Sequence, residues 1–224
     1  MIPQLLWRCP FCGADDALEQ RRGWRRPAHV RCARCATALE VRRVIGGDYR
    51  LRVVGGSGAA SGAERPLAEW YAIAKASLTP SPLPRGATAL SLAPGEDAYL
   101  ESREADLYLR ADDANRGAAA RPGAPAADPP GARVPRMRRG DTGRVTLTSE
   151  RLAWRGQRVA LDFWWTRVES VHTEVTWRLG LMDGRQPYKV RFHRESVLKW
   201  LTYIAAVAAR AGERTGRRIA VSNY

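Results

Sequence analysis

The sequence predicts a mainly β chain with a C-terminal helix, an α+β protein built as two modules of unequal size. Three observations carry this. All four cysteines fall between residues 9 and 35 in two close pairs. Short β-rich runs follow one another at close spacing from residue 143 to 192, with turn residues between them. Residues 194–211 then switch to helical periodicity, with Val197, Leu201, Ile204 and Ala208 on one face. At 224 residues the chain can bury a small module and a medium one. With 45% hydrophobic and 27% charged residues, most of it is expected to be globular.

Taken in order, residues 1–55 hold the cysteines and a hairpin signal. Glu40–Ile45 and Tyr49–Val54 are β-rich runs flanking the Gly46-Gly47 turn. Residues 56–87 read as a flexible linker. It begins in a Gly/Ser/Ala stretch (55–63) that has nothing to bury and carries a short helix at 64–79, with Leu67, Trp70, Tyr71, Ala74 and Leu78 at helical spacing. Pro80, Pro82 and Pro84 stop that helix. Residues 88–213 form the second module, interrupted at 115–135 by an Ala/Gly/Pro-rich insertion expected to be disordered. Its expected strands are 143–148, 151–155, 159–163, 168–174 and 188–192, with turns at Gly156-Gln157 and Asp183-Gly184. In the hairpin around Ser149-Glu150, Val145, Leu147, Leu152 and Trp154 are expected to point inward. Trp164 and Trp165 are adjacent, so in a strand they face opposite sides. Residues 214–224 are a tail without periodicity.

The cysteines read Cys9-Pro-Phe-Cys12, nineteen residues, then Cys32-Ala-Arg-Cys35. Two residues between paired cysteines let both thiolates of a tight turn face one metal, and two such turns complete a tetrahedron of sulfurs. Gly13 suits the turn because glycine tolerates positive φ. One structural Zn2+ held by Cys9, Cys12, Cys32 and Cys35 is therefore expected; disulfides or an iron–sulfur centre are the other uses of such a set. The first fifty or so residues resemble the zinc ribbons, a likeness that implies a fold and not a partner. Four thiolates fill the coordination sphere, so the metal is expected to hold the module together rather than perform chemistry. His29, between the pairs, reads as a surface histidine.

Two further motifs carry a second resemblance. Leu92-Ala-Pro-Gly-Glu-Asp-Ala-Tyr99 is similar to the opening of a GRAM or bacterial pleckstrin-homology-like domain. Gly143-Arg-Val-Thr-Leu-Thr-Ser-Glu-Arg-Leu-Ala-Trp154 is similar to that family's following hairpin, with Val145 and Trp154 as variants. The likeness runs through Val168–Val171 to a closing helix containing Trp200. It implies an antiparallel β-barrel or sandwich capped by a helix; the long insertion departs from the compact family pattern.

The formal net charge is +14, and 34 of the 37 basic residues are arginine. A field this positive favours anionic partners: nucleic acid, acidic lipid headgroups or an acidic protein. Residues 131–158 hold eight arginines against Asp141 and Glu150. Pleckstrin-homology-like domains that bind headgroups use basic residues around this loop, so the resemblance implies an anionic-ligand site at Arg133, Arg136, Arg138, Arg139 and Arg144. A solvated basic loop is the plainer reading of the same residues. In the ribbon, Arg21, Arg22, Trp24, Arg25 and Arg26 are candidate nucleic-acid contacts, because arginines beside aromatics can neutralise phosphates and stack on bases. They could equally keep a small module soluble.

Enzyme signals are missing: His29, His172 and His193 lie in no metal or nucleophile motif, and there is no P-loop, dinucleotide fingerprint or nucleophile elbow. No signal peptide or membrane span is read. The expectation is a non-enzymatic cytoplasmic adaptor that engages a protein partner and, peripherally, an anionic membrane surface. The alternative is a nucleic-acid-binding protein using the basic ribbon.

Overall fold

The computed structural model describes residues 2–21, 27–56, 61–78, 83–111, 136–174 and 178–223. The insertion at 115–135, together with Arg133, Arg22, Trp24, Arg25 and Arg26, lies outside them. The chain divides into two compact units, Met1–Pro82 and Leu83–Tyr224.

The first unit is an antiparallel meander with helices on one face. After the short helix α1 (Ile2–Leu5) come β1 (Leu18–Arg21), β2 (His29–Cys32), β3 (Ala38–Arg43), β4 (Tyr49–Gly55), β5 (Glu64–Pro66) and α2 (Leu67–Ala76). The strands pair in chain order. Alternation with a period of two turns Val30, Leu39, Leu51 and Val53 inward and leaves Arg31, Arg42 and Arg52 in solvent. The β3–β4 hairpin closes around Gly46 and Gly47, both at positive φ (99° and 94°), which an L side chain would resist. This unit extends past the expected boundary at residue 55. Glu64–Pro66 joins the sheet by pairing with β4, and α2 is anchored by Trp70 and Ala74. Trp70 packs against Phe11, ring centroids 5.3 Å apart and planes tilted by 47°, and donates its Nε1–H to the Leu51 carbonyl at 3.1 Å. The stretch reads as a linker in sequence because GGSGAASGA precedes it, but the tryptophan needs a core, and the sheet supplies one.

The second unit consists of β6 (Ala98–Arg110), β7 (Met137–Thr148), β8 (Arg151–Gly156), β9 (Ala160–Trp164), β10 (Val168–Glu174), β11 (Arg178–Asp183), β12 (Gln186–Phe192), α3 (Val197–Thr215) and β13 (Ala220–Asn223). Their order in the sheet is β13-β10-β11-β12-β6-β7-β8-β9. The long strand β6 is the hinge of two meanders, bonded to β7 on one side and β12 on the other. Consecutive strands β9 and β10 stand far apart in that order, yet only residues 165–167 join them. Such a link reaches about 14 Å at most, whereas six strand spacings in a flat sheet would separate them by about 29 Å. The sheet must therefore curl. Of the expected barrel or sandwich, it does not form a closed barrel: β9 and β13 remain its edges, and the β13–β10 pair is parallel.

Inside the curl lie Val145, Leu147, Leu152, Trp154, Phe163, Val171, Leu181 and Val190, each at most 2% exposed. Trp165 is 2% exposed and Trp164 37%, so the two neighbours do face opposite sides. Helix α3 starts at Ser196, whose hydroxyl accepts from the Lys199 N–H, and stops at Gly216 in a left-handed cap. It runs four residues beyond the expected end, burying Val197, Leu201, Ile204 and Ala208, and Trp200 stacks on Phe192. The tail, which shows no periodicity in sequence, contributes β13.

Two buried polar knots fix the curl. The Asp141 carboxylate accepts from the backbone N–H groups of Thr142, Gln157, Arg158 and Val159 and from Trp154 Nε1, stapling the β8–β9 turn onto β7. Glu96 accepts a two-pronged bond from Arg151 (3.0 and 3.1 Å), one from the Thr148 hydroxyl (2.7 Å) and one from the Ala93 N–H (2.9 Å). The Arg151 guanidinium also lies 4.8 Å above the Trp164 ring and 3.3 Å from Asp162. Thus Pro94-Gly95-Glu96 and Thr148-Ser-Glu-Arg151, distant in sequence, meet in one ion pair.

Candidate metal centre

Two turns of the same design present the four sulfurs. In the first, the Cys9 N–H donates to the Ala14 carbonyl and the Gly13 N–H to the Cys9 carbonyl; in the second, Cys32 bonds Thr37 and Ala36 bonds Cys32 in the same way. The residue after each second cysteine is left-handed, Gly13 at φ 68° and Ala36 at φ 58°. Cys32 ends β2, so the sheet itself aims one sulfur. Gly56 lets β4's end approach the second turn: a Cβ there would come within 2.4 Å of the Thr37 Cα.

The sulfurs converge. Cys9 Sγ lies 3.7 Å from Cys35 Sγ, Cys12 Sγ lies 3.7 Å from Cys32 Sγ, and all four fall within 4.8 Å of one another. Four sulfurs each about 2.3 Å from one zinc stand about 3.8 Å apart along a tetrahedral edge. No sulfur–sulfur bond links them. The donor set therefore suits a thiophilic ion such as zinc.

Taken as thiols, Cys9, Cys12 and Cys35 are held unequally. Burial pushes the Cys9 thiol well above its ordinary range and raises Cys12 as well. At Cys35 burial also opposes ionisation, but hydrogen bonds from the Thr37 hydroxyl and backbone outweigh it and lower the thiol to about 6. A bound cation would draw all four to thiolates and tie the loop before β1 to the β2–β3 turn. Cys9 and Cys32 also belong to the buried cluster of Ile2, Leu6, Leu18, Val30, Leu39, Leu51, Val53, Trp70 and Ala74, so the metal set and the apolar core are one structure.

The strained alanine provides a test. Ala36 is exposed and left-handed, so Ala36→Gly removes steric strain and loses no packing. It is expected to stabilise the zinc-loaded first unit by about 0.5–1 kcal/mol, read as a rise of a few degrees in its calorimetric transition.

The remaining candidates separate. Arg21 is exposed and 3.6 Å from Glu19. Of the neighbouring aromatics, Trp7 is 1% exposed and Phe11 packs on Trp70, so neither offers a face for a base. Arg8 is held by Asp15 and Ser77. His29 lies half-buried in β2, opposite Arg21 and Glu40, and takes no part in the sulfur cluster.

Arg138 and Arg139 stand at the far end of the β6–β7 ladder, opposite Leu109 and Tyr108, and Arg136 precedes it, its carbonyl accepting from the Ala111 N–H. Among the described residues no ion pair engages Arg136 or Arg138, and Arg139 is 3.7 Å from Asp106. Arg144 sits five residues further along β7, about 17 Å away, 3.5 Å from Glu101. It shares β7 with Arg138 and Arg139 but stands apart from them along the strand. Glu96 and Arg151 stand in the two sequence motifs and Asp141 among the arginines, but their pairing and the Asp141 staple are set only by the fold.

Comparison with protein-family models, with curated proteins and with solved structures returned no match to this chain. Among the described residues no helix is long and apolar enough to cross a membrane.

Proposed function

We propose that this chain is a non-enzymatic cytoplasmic adaptor: a zinc ribbon joined to a GRAM or pleckstrin-homology-like domain, engaging a protein partner and an anionic membrane surface. The observation that carries the reading is the organisation of the second unit. Two antiparallel meanders share β6, the sheet curls around one core, and a single C-terminal helix packs on it. The two motifs behind the resemblance meet in the buried Glu96–Arg151 pair, so they act as one structural device. The exposed cations Arg136, Arg138 and Arg139 then mark the anionic-surface contact, since guanidinium suits phosphate.

On the ribbon's solvated face, Arg21, Arg42 and Arg50 are engaged by Glu19, Glu40 and Glu64, which leaves less free charge for a nucleic-acid backbone. This favours the adaptor over the nucleic-acid reading.

Vesicle co-sedimentation tests it. The chain is expected to bind phosphatidylcholine vesicles containing phosphatidylserine and to ignore pure phosphatidylcholine. At about 1 kcal/mol per basic residue near an anionic surface, replacing Arg136, Arg138 and Arg139 together with Gln should weaken binding about a hundredfold. Unchanged binding would remove these three arginines as the site. Steeply salt-dependent binding to random DNA or RNA, without vesicle binding, would favour the nucleic-acid reading instead.

A further inference from the structure

We propose that the outer edge of β10, beside α3, is a docking site for an extended segment of a protein partner, and that β13 is the chain's own occupant of it. The proposal rests on the adaptor reading and deepens it by naming where a protein partner binds.

The pairing of β13 differs from the rest of its sheet. It is parallel, where every other described pair in that sheet is antiparallel, and it covers four residues: Ser170↔Ala220, Val171↔Val221, His172↔Ser222 and Thr173↔Asn223. By contrast, the other side of β10 is bonded to β11 from Val168 to Glu174. No residue within β13 is fully buried; Ala220 and Asn223 are exposed, and Val221 and Ser222 half-buried. The apolar anchor is Ile219, at 9% exposure, and one side-chain bond, Thr173 hydroxyl to Asn223 Oδ1 at 2.5 Å, holds the far end.

The tether is short. Helix α3 ends at Gly216, left-handed at φ 69°, and Arg217 and Arg218 are exposed, Arg217 donating to the Thr166 carbonyl and the Thr215 hydroxyl. A change of backbone angles at these three residues would free β13 while α3 keeps Trp200, Ile204 and Val207 in the core.

Without β13, the outer edge of β10 would present a row of unpaired backbone N–H and C=O groups, a ready template for another extended chain. Any extended chain can supply them, and side-chain positions then choose which one binds. Those positions define the partner: an aliphatic residue at the place of Ile219, small or β-branched residues along the strand, and an acceptor opposite the Thr173 hydroxyl.

The probe is a labelled synthetic peptide with the sequence of residues 217–223, RRIAVSN, added to the full chain. In a parallel ladder alternate residues direct their backbone groups to one neighbour, so Val221→Pro with Ser222→Pro removes at least one donor facing β10. The doubly substituted chain is expected to bind the peptide at least tenfold more tightly than the unsubstituted chain, and Thr173→Val in that background should weaken it again. Equal binding by both chains, with the second unit's thermal transition retained, would overturn the proposal.

Hydrogen exchange of the unsubstituted chain gives a second reading, independent of whether the substituted one folds. The β13 amides should exchange at least a hundredfold faster than those of β11 and β12; equal protection would also overturn the proposal. A concentration-dependent dimer abolished by the two prolines would assign the edge to a second copy instead. Because the probe is the chain's own segment, these outcomes stand apart from whether a partner or a membrane is ever bound.

Discussion

Cys32→Ser, or removal of the metal by a chelator, is expected to unfold Met1–Pro82 while Leu83–Tyr224 keeps its thermal transition. Cys32 is fully buried, ends β2, and supplies one of the four convergent sulfurs. Its loss removes a ligand and places a hydroxyl in the apolar cluster. Structural zinc contributes about 10–16 kcal/mol to the folding of small finger peptides, as much as the whole stability of an ordinary domain, about 5–15 kcal/mol. The first unit's cluster is eleven residues including two of the ligands, too small to carry that loss. Elemental analysis should find one zinc per chain before substitution and none after. Circular dichroism should then show one of two transitions missing. A first unit that melts normally without zinc would refute the structural role, and loss of both transitions would show that the two units fold cooperatively.

The second large effect is expected at Glu96 and Arg151. Arg151→Ala leaves the Glu96 carboxylate, with a side chain 1% exposed, without its cation. Breaking a buried pair from one side costs about 3–5 kcal/mol, because the remaining charge is neither solvated nor paired. The double change Glu96→Gln with Arg151→Met should restore most of that, since a neutral pair of similar volume leaves no buried charge. Chemical denaturation of the three chains distinguishes the cases; equal loss in the single and double variants would mean that Arg151 acts through packing alone.

The same pair sets a pH dependence. Burial opposes ionisation of Glu96, but the bonds from Thr148, Ala93 and Arg151 outweigh it and hold its pKa below the ordinary 4.5. A carboxyl depressed in the folded state stabilises the fold above its unfolded pKa, and that contribution is lost as pH falls through the folded value. Glu101 and Glu174 are depressed as well. The second unit should therefore lose stability below about pH 4.5, and less steeply in the double variant.

How much of this was legible depends on how local the signal is. The hairpin around Ser149-Glu150 and the strand at 168–174 could be read because alternation and turn residues lie within a few positions of each other. Strand β11 was missed because Gly180 interrupts its pattern; its place is set by the His172 ring, which a Cβ there would approach within 2.3 Å. Strand β13 was missed because four residues hold no period; its partner, β10, lies about fifty residues earlier in the chain. Trp7, next to Arg8 in the chain, is buried, which no local pattern shows, since sequence spacing does not reveal which side of a loop meets the core.

The four cysteines show the same division. Their number and their two-residue spacing point, in the sequence alone, to a set that could hold a metal ion, because two residues between paired cysteines let both sulfurs of a tight turn face one point. The α+β class and the apolar stripe of α3 were likewise written in local patterns. Tertiary structure alone decided that α2 and β5 belong with the cysteines, that the larger sheet curls without closing, and that Arg144 parts company with Arg136 and Arg138. It also decided that the chain's last described strand covers the edge of β10. Each of these depends on which distant residues bury Trp70, satisfy Glu96 or complete a strand's backbone bonds, and burial and hydrogen-bond satisfaction are properties of the assembled chain rather than of any stretch of it.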